Sequence, residues 1–128
     1  MFMNKKEKIF VAGHKGMVGS SICRKLKEYG YQNILTISRK EIDLTEKEAV
    51  HSWFKNNTPN IVIIAAAKVG GITANSNSPY EFLMENINIQ NNVIESAWKS
   101  QSRRLLFLGS SCIYPKHCRQ PITEESLM

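Results

Sequence analysis

Three glycines near the start of the chain have a spacing that suits phosphate binding. Gly13, Gly16 and Gly19 form the pattern G-x-x-G-x-x-G directly after an apolar run, Ile9 to Ala12. The first glycine of such a pattern permits a tight turn, the second lets the backbone approach a pyrophosphate, and the third lets a helix pack on a strand. Free N–H groups at the start of that helix attract phosphates. The pattern favours dinucleotide binding, with a purely structural glycine turn as the alternative.

A pair of cations indicates which dinucleotide. Ser38, Arg39 and Lys40 follow a second apolar run, at the point where an NAD site would place an Asp or Glu against the ribose. Two cations and a hydroxyl instead suit a 2′-phosphate, so the sequence favours NADP(H), with a solvated strand end as the alternative. The predicted cofactor-binding residues of these two segments are Gly13, His14, Lys15, Gly16, Met17, Val18, Gly19 and Arg39.

The elements that position these segments alternate between strands and helices. Short apolar runs predict strands, and apolar spacings of three and four predict helices. Gly30 stops the first helix, Pro79 opens the last, and Thr45 with Glu48 is a predicted capping box. The expected elements are a strand at 8–12, a helix from 17, a strand at 33–38, a helix through 53–54, a strand at 61–65, a loop at 68–78, a helix at 79–99 and a strand at 105–108.

The order βαβαβαβ predicts an α/β fold, because consecutive parallel strands need right-handed helical crossovers. We expect a Rossmann-type, doubly wound parallel sheet of about four strands, with residues 1–128 forming the N-terminal part of an NADP-binding domain. Ligands of such sheets lie beyond the carboxyl ends of the strands. The segment Gly109 to Pro115, which follows the last predicted strand, should therefore face the cofactor.

Composition sets outer limits on the class of protein. The 128 residues include 42% hydrophobic and 22% charged residues, close to the averages of globular domains. The formal charge is +6, but the cations are scattered in pairs without interleaved aromatic residues, so we expect no nucleic-acid partner. Three cysteines without a C-x-x-C pair and the short apolar run after Lys8 predict a reduced, cytoplasmic protein without a signal peptide or membrane span.

Three segments together closely resemble the GDP-L-fucose synthase group of the extended short-chain dehydrogenase/reductase family. They are 13–19, 65–72 (Ala-Ala-Ala-Lys-Val-Gly-Gly-Ile) and 106–116 (Leu-Phe-Leu-Gly-Ser-Ser-Cys-Ile-Tyr-Pro-Lys). The resemblance implies an NADP-dependent enzyme that epimerises GDP-4-keto-6-deoxy-D-mannose at two sugar carbons and then reduces its 4-keto group. It also implies a GDP-sugar substrate and a homodimer for full-length members.

The resemblance implies two catalytic residues, matched by position. Ser110 corresponds to the serine that hydrogen-bonds the keto oxygen, and Cys112 to the cysteine that serves as acid and base in epimerisation. Removal of a proton beside a carbonyl needs such a base and a donor to the enolate; the alternative is that the serines only cap the strand end and Cys112 is a small buried hydrophobe. The further cofactor-lining residues by this matching are Ala65, Ala66, Leu108, Gly109, Ser110 and Ser111.

One feature of such reductases is missing from the sequence. They use a Tyr-x-x-x-Lys pair, and the residues four positions after the tyrosines here are Asn33, Leu35, Met84 and Cys118. We therefore expect the 128-residue chain to be the N-terminal portion of the enzyme and to be inactive alone. A second polypeptide could supply the rest; the alternative is a stand-alone NADP-binding or inert remnant.

The histidines carry no metal prediction. His117 and Cys118 form no zinc spacing with other ligands, His51 should lie on the surface or in packing, and His14 should act through its backbone. Asn86 matches an asparagine that resembling enzymes place near the cofactor.

Overall fold

The computed structural model describes residues 4–127. Met1 to Met3 and Met128 lie outside the described residues, and the first three belong to the N-terminal segment in which we expect no signal peptide. The strands are β1 (Ile9–Ala12), β2 (Ile34–Leu35), β3 (Ile61–Ile64) and β4 (Arg104–Phe107). The α-helices are α1 (Met17–Glu28), α2 (Lys47–Asn57), α3 (Ile72–Asn77) and α4 (Pro79–Lys99), and short 3-10 turns lie at Ser111–Ile113 and Glu124–Ser126. All strand pairs are parallel, in the order β2-β1-β3-β4. The predicted Rossmann-like α/β fold is confirmed.

The two central strands are buried on both faces, which explains why their sequences are continuously apolar. Phe10 and Val62 face one side, where they pack with residues of α2 and α4 such as Phe54 and Val93. The alternate residues of these two strands face the other side of the sheet, toward α1. They are Ile9, Val11, Ile61 and Ile63, and they pack with Ile22, Cys23 and Leu26 of that helix. Helices therefore cover both faces of the sheet. Full burial of a side chain such as Phe54 contributes about 1.5–3 kcal/mol.

The helix boundaries follow the local signals at α1 and α4. α1 ends at Glu28, and Gly30 adopts a left-handed φ of 80° just beyond it. α4 begins with Pro79 in its first turn and runs to Lys99, as predicted. In α4 the buried residues Ile89, Val93 and Ala97 recur every four positions and so lie on one face of the helix.

Three predictions of local structure were wrong. Thr45 does not cap α2, because its hydroxyl donates to the Asp43 carboxylate at 2.8 Å and the helix begins at Lys47. The second strand is shorter than expected: it ends at Leu35, and Ser38 donates its backbone N–H and its hydroxyl to the Glu41 carboxylate. The predicted loop at 68–78 contains the short helix α3.

Strand β4 differs from the other strands in its exposure. Its one strand partner among residues 4–127 is β3, with Val62 opposite Leu105 and Ile64 opposite Phe107. Leu106 and Phe107 are about half exposed, at 51% and 47%. An apolar edge strand thus lies beside a fully buried neighbour.

Candidate functional site

The glycine loop packs tightly against the end of β3. Gly13 has a φ of 83°, and a Cβ atom there would lie 2.6 Å from the carbonyl oxygen of Ala65. A Cβ at Gly19 would overlap the carbonyl group of Gly13, so these two positions accept no side chain. Gly16 is different, because a Cβ there would meet only the Gly13 oxygen, at 3.4 Å. Its open side leaves room for a ligand against the backbone.

The start of α1 is open to an anion. Its N-cap is Gly16, no side chain within the described residues caps it, and its first turn carries no acidic residue. The first backbone N–H groups of a helix lack intrahelical partners and carry a partial positive charge. The site is therefore suited to phosphate, and no carboxylate of this turn competes for it.

A cleft of about 290 Å³ lies beyond the carboxyl ends of β1, β2 and β3. Its floor is the glycine loop and the segment Ala65–Lys68. One wall is apolar and includes Ile37, Ile42, Leu44 and Ile89, which suits a flat aromatic base. The charged residues that line it are Lys15, Arg39, Asp43, Lys68 and Glu85.

Arg39 lies at this cleft, where the sequence predicts it, but it already has two carboxylate partners. Its Nε is 3.3 Å from Asp43 Oδ2, and its Nη2 is 3.1 Å from Glu85 Oε1. The other oxygen of Glu85 is 2.7 Å from Lys68 Nζ. The side chain of Arg39 is 71% exposed, so the guanidinium remains accessible to a ligand.

Ser38 is occupied by a neighbouring carboxylate. Its backbone N–H and its hydroxyl both donate to Glu41 Oε2, at 2.8 and 2.6 Å. These hydrogen bonds lower the pKa of Glu41, and the positive charge of Lys15 lowers it further. Lys15 lines the same cleft as Ser38 and Arg39.

A second cleft continues from the first toward β4. The two clefts share the segment Ala65–Ala67, and the second is also lined by Val18, Asn86, Gln90, Phe107–Ser110 and Ile113. Ser110 Oγ accepts a hydrogen bond from the backbone N–H of Cys112 at 3.1 Å, which caps the 3-10 turn Ser111–Ile113. An elongated ligand could lie across both clefts.

The predicted site residues divide into two groups. Most line one of the two clefts, but four lie beside them without lining either: Met17, Gly19, Ser111 and Cys112. Cys112 is exposed and two residues from Ser110, so the alternative in which it is a small buried hydrophobe is wrong. Ser110 does cap the turn, and it also lines the second cleft.

Asn86 holds the segment after β3 against α4. Its amide oxygen accepts from the backbone N–H of Lys68 at 2.7 Å, and its amide nitrogen donates to the carbonyl oxygens of Lys68 and Phe82 at 3.0 and 2.8 Å. Its hydrogen-bonding groups are thus engaged with the backbone beneath both clefts.

Sequence reasoning missed Asp43, Lys68 and Glu85 as charged residues of the site. Glu85 lies four residues before Ile89, which is buried in α4. That spacing places it on the inward face of the helix and was a signal that could have found it. The ion pair with Arg39 crosses elements distant in sequence and has no local signal.

The described residues offer neither a metal site nor a membrane-spanning helix. Across residues 4–127, no three His, Cys, Asp or Glu side chains lie close enough together to hold a metal ion. None of the described helices has the length and apolar character that crossing a membrane requires.

The chain is similar to known nucleotide-sugar enzymes. It is 53% identical over 125 residues to GDP-L-fucose synthase 1 of Arabidopsis thaliana, covering 98% of this chain and 39% of that protein. It is 45% identical over 123 residues to GDP-L-fucose synthase of Escherichia coli, covering 96% of this chain and 38% of that protein. The resemblance predicted from the three motifs is confirmed, and the chain spans about two fifths of the length of these relatives.

A solved structure and a family model agree with these matches. MlghC, a GDP-mannoheptose C4 reductase from Campylobacter jejuni with NADP bound, has a TM-score of 0.92 and 36% identity, covering 98% of this chain and 40% of that one. The model of the NAD dependent epimerase/dehydratase family matches residues 9–128. With nearly the whole fold and both clefts inside that match, this chain belongs to the NAD dependent epimerase/dehydratase family.

Proposed function

We propose that this chain is the cofactor-binding, N-terminal portion of a GDP-L-fucose synthase, which uses NADPH to convert GDP-4-keto-6-deoxy-D-mannose to GDP-L-fucose. One observation carries the proposal: the glycine loop, Arg39 and Ser110 line two clefts that share the segment Ala65–Ala67. The relatives from A. thaliana and E. coli bear the name of that enzyme, and the relative from C. jejuni holds NADP.

The donor set of the first cleft fits the phosphorylated dinucleotide. The uncapped start of α1 would hold the pyrophosphate, since the open side of Gly16 lets it approach the backbone. The apolar wall would hold the adenine, and Arg39 with Lys15 would face the 2′-phosphate. Arginine suits this role because its planar donors can bind phosphate in pairs.

The residues after β4 would act on the sugar. Ser110 would donate its O–H to the keto oxygen, and it can do so while it accepts from the Cys112 N–H, because a hydroxyl both donates and accepts. Cys112 would remove and return the protons of epimerisation, and its exposure is what proton exchange with a substrate requires. NADPH, when bound, supplies the hydride that reduces the carbonyl.

The setting of the enzyme follows from the same resemblance. We place it in the cytoplasm, acting on a GDP-sugar, with full-length members forming homodimers. The residues that protonate the reduced carbonyl would lie on a C-terminal part, encoded with this chain or separately, because no tyrosine here has a lysine four positions later.

Cofactor titration tests the proposal. Fluorescence energy transfer from Trp53 and Trp98 to the reduced nicotinamide should show that the chain binds NADPH more tightly than NADH. Arg39→Ala should weaken NADPH binding about tenfold and leave NADH nearly unchanged, because it removes a charge-assisted contact to the 2′-phosphate. Lys25→Ala, which removes an exposed cation of α1 outside both clefts, is the matched control. Equal affinity of the wild-type chain for both dinucleotides would contradict the NADP assignment.

The alternative is a stand-alone NADP-binding or inert remnant, favoured by the missing Tyr-x-x-x-Lys pair. Under both hypotheses, the synthase portion and the remnant, we expect no NADPH oxidation when the 128-residue chain is mixed with the keto-sugar nucleotide. Adding a polypeptide that carries the Tyr-x-x-x-Lys pair distinguishes the two hypotheses. Turnover in the mixture supports the synthase, and no turnover supports the remnant.

A further inference from the structure

A carboxylate links two of the three cations that line the first cleft. Glu85, on α4, has one oxygen 3.1 Å from Arg39 Nη2 and the other 2.7 Å from Lys68 Nζ. Its side chain is 17% exposed, far less than that of Arg39. The three residues come from three separate parts of the chain and meet at the lining of the cleft.

Glu85 already occupies an Nη donor of Arg39 that a bound 2′-phosphate could otherwise use. Arg39 gives its Nε to Asp43 and its Nη2 to Glu85, so the guanidinium is shared between two carboxylates before any ligand arrives. A phosphate would have to take the Nη donors, because the Nε side faces Asp43. Both Glu85 and the phosphate are anionic, so they also repel each other across the guanidinium.

We propose that Glu85 is a specificity-determining residue that competes with the 2′-phosphate for Arg39 and so limits the preference for NADPH over NADH. The inference rests on the proposed dinucleotide-binding function and adds to it a residue that acts against the phosphate. NADH, which has no phosphate at this position, would leave the contact between Arg39 and Glu85 in place.

The network allows Arg39 to change partners without leaving a charge unpaired. When a phosphate takes the Nη donors, Glu85 keeps Lys68 and Arg39 keeps Asp43. A buried carboxylate that lost all of its partners would be costly, and Lys68 prevents that cost here. The remaining opposition is the negative charge of Glu85 itself, which an amide of the same shape would remove.

The test compares Glu85→Gln with the wild-type chain, using NADPH and NADH as the probes. Glu85→Gln should tighten NADPH binding about tenfold and change NADH binding less than about twofold, because only NADPH brings the competing charge. Glu95→Gln is the matched control, since Glu95 also lies on α4 and also pairs with two cations, Lys47 and Lys99, away from the clefts. It should leave both affinities unchanged. In Arg39→Ala/Glu85→Gln the gain should disappear, because the contested donors are gone.

The outcomes distinguish failure of the competition at Arg39 from failure of the proposed dinucleotide binding. If the wild-type chain binds neither dinucleotide, the proposed function and the inference fail together. If it binds NADPH but Glu85→Gln behaves as Glu95→Gln does, the competition is refuted and the proposed function stands. Glu85→Ala provides a second variant; should neither Glu85 variant reach the wild-type circular dichroism spectrum, Glu85 has a structural role and the inference is overturned.

Discussion

Single side chains in this chain hold backbone segments in place beneath the clefts. Asn86 is the main example, since its amide spans Lys68 and Phe82 and so ties the segment after β3 to α4. A side-chain amide that satisfies several backbone groups is costly to lose, because the groups it leaves behind are partly shielded from water. Asn86 is therefore better described as a positioning residue than as a cofactor ligand.

Asn86→Ala should lower the free energy of unfolding by about 1–3 kcal/mol, the cost of leaving partly buried backbone groups unsatisfied. Urea denaturation followed by tryptophan fluorescence measures the change. Asn88→Ala, at an exposed position two residues further along α4, is the control and should change stability by less than about 0.5 kcal/mol. Equal losses in the two variants would show that the hydrogen bonds of Asn86 do not stabilise the fold.

At the scale of elements, two glycines of the turn between β1 and α1 have different roles, one in packing and one in ligand binding. Gly19 is needed for the helix to approach the strand, because a Cβ there would overlap the carbonyl group of Gly13. Gly16 has a φ of −72°, which any residue adopts, and its open side faces no tightly packed backbone. Gly19 is thus needed for packing of the helix on the strand, and Gly16 for the approach of a ligand to the backbone.

Gly16→Ala should keep stability within about 1 kcal/mol of the wild type, since the added methyl group makes an ordinary contact. The same variant should weaken NADPH binding by about tenfold or more, because the methyl group separates the pyrophosphate from the backbone. Gly19→Ala should instead lose about 1–3 kcal/mol of stability through overpacking. Thermal denaturation and NADPH titration of both variants measure these effects, and a stable, tightly binding Gly19→Ala would contradict the assignment.

The sequence predicts these elements well where the signal is local. Gly30, Pro79 and the apolar run Ile61–Ile64 specify their own structure, so the ends of two helices and the central strand follow from neighbours in the chain. The capping box failed because Asp43, also local, competes for the Thr45 hydroxyl. The ion pair between Glu85 and Arg39 was missed because the fold brings together two residues that are far apart in sequence, and no short window of sequence contains both.

At the scale of the whole molecule, ion pairs tie together elements that lie apart in sequence. Glu95 on α4 contacts Lys99 on the same helix and Lys47 on α2, and these hydrogen bonds lower its pKa from 4.5 to about 2. The backbone N–H of Thr45 is the largest cause of the lowered pKa of Asp43, and Ser38 lowers that of Glu41. All three groups favour the charged form more in the folded chain than in the unfolded one.

The folded chain should therefore become less stable in acid. A carboxylate whose folded pKa lies below its unfolded pKa contributes stability above the unfolded value and loses it as the pH falls through the folded value. For Glu95 that window runs from 4.5 down to about 2. The urea midpoint should fall steadily between about pH 5 and pH 3, and the fall should be smaller in Glu95→Gln. A midpoint that rises toward acid pH would contradict this assignment.

We expect aggregation of this chain to depend more on the exposed edge strand β4 than on the net charge of +6. A strand with a free edge is a template for pairing with another extended chain, and proteins usually blunt such edges with charge, proline or a covering element. Between Leu105 and Phe107 this edge carries only apolar side chains. We therefore expect aggregation in concentrated solution to begin at β4, the edge of the sheet opposite β2.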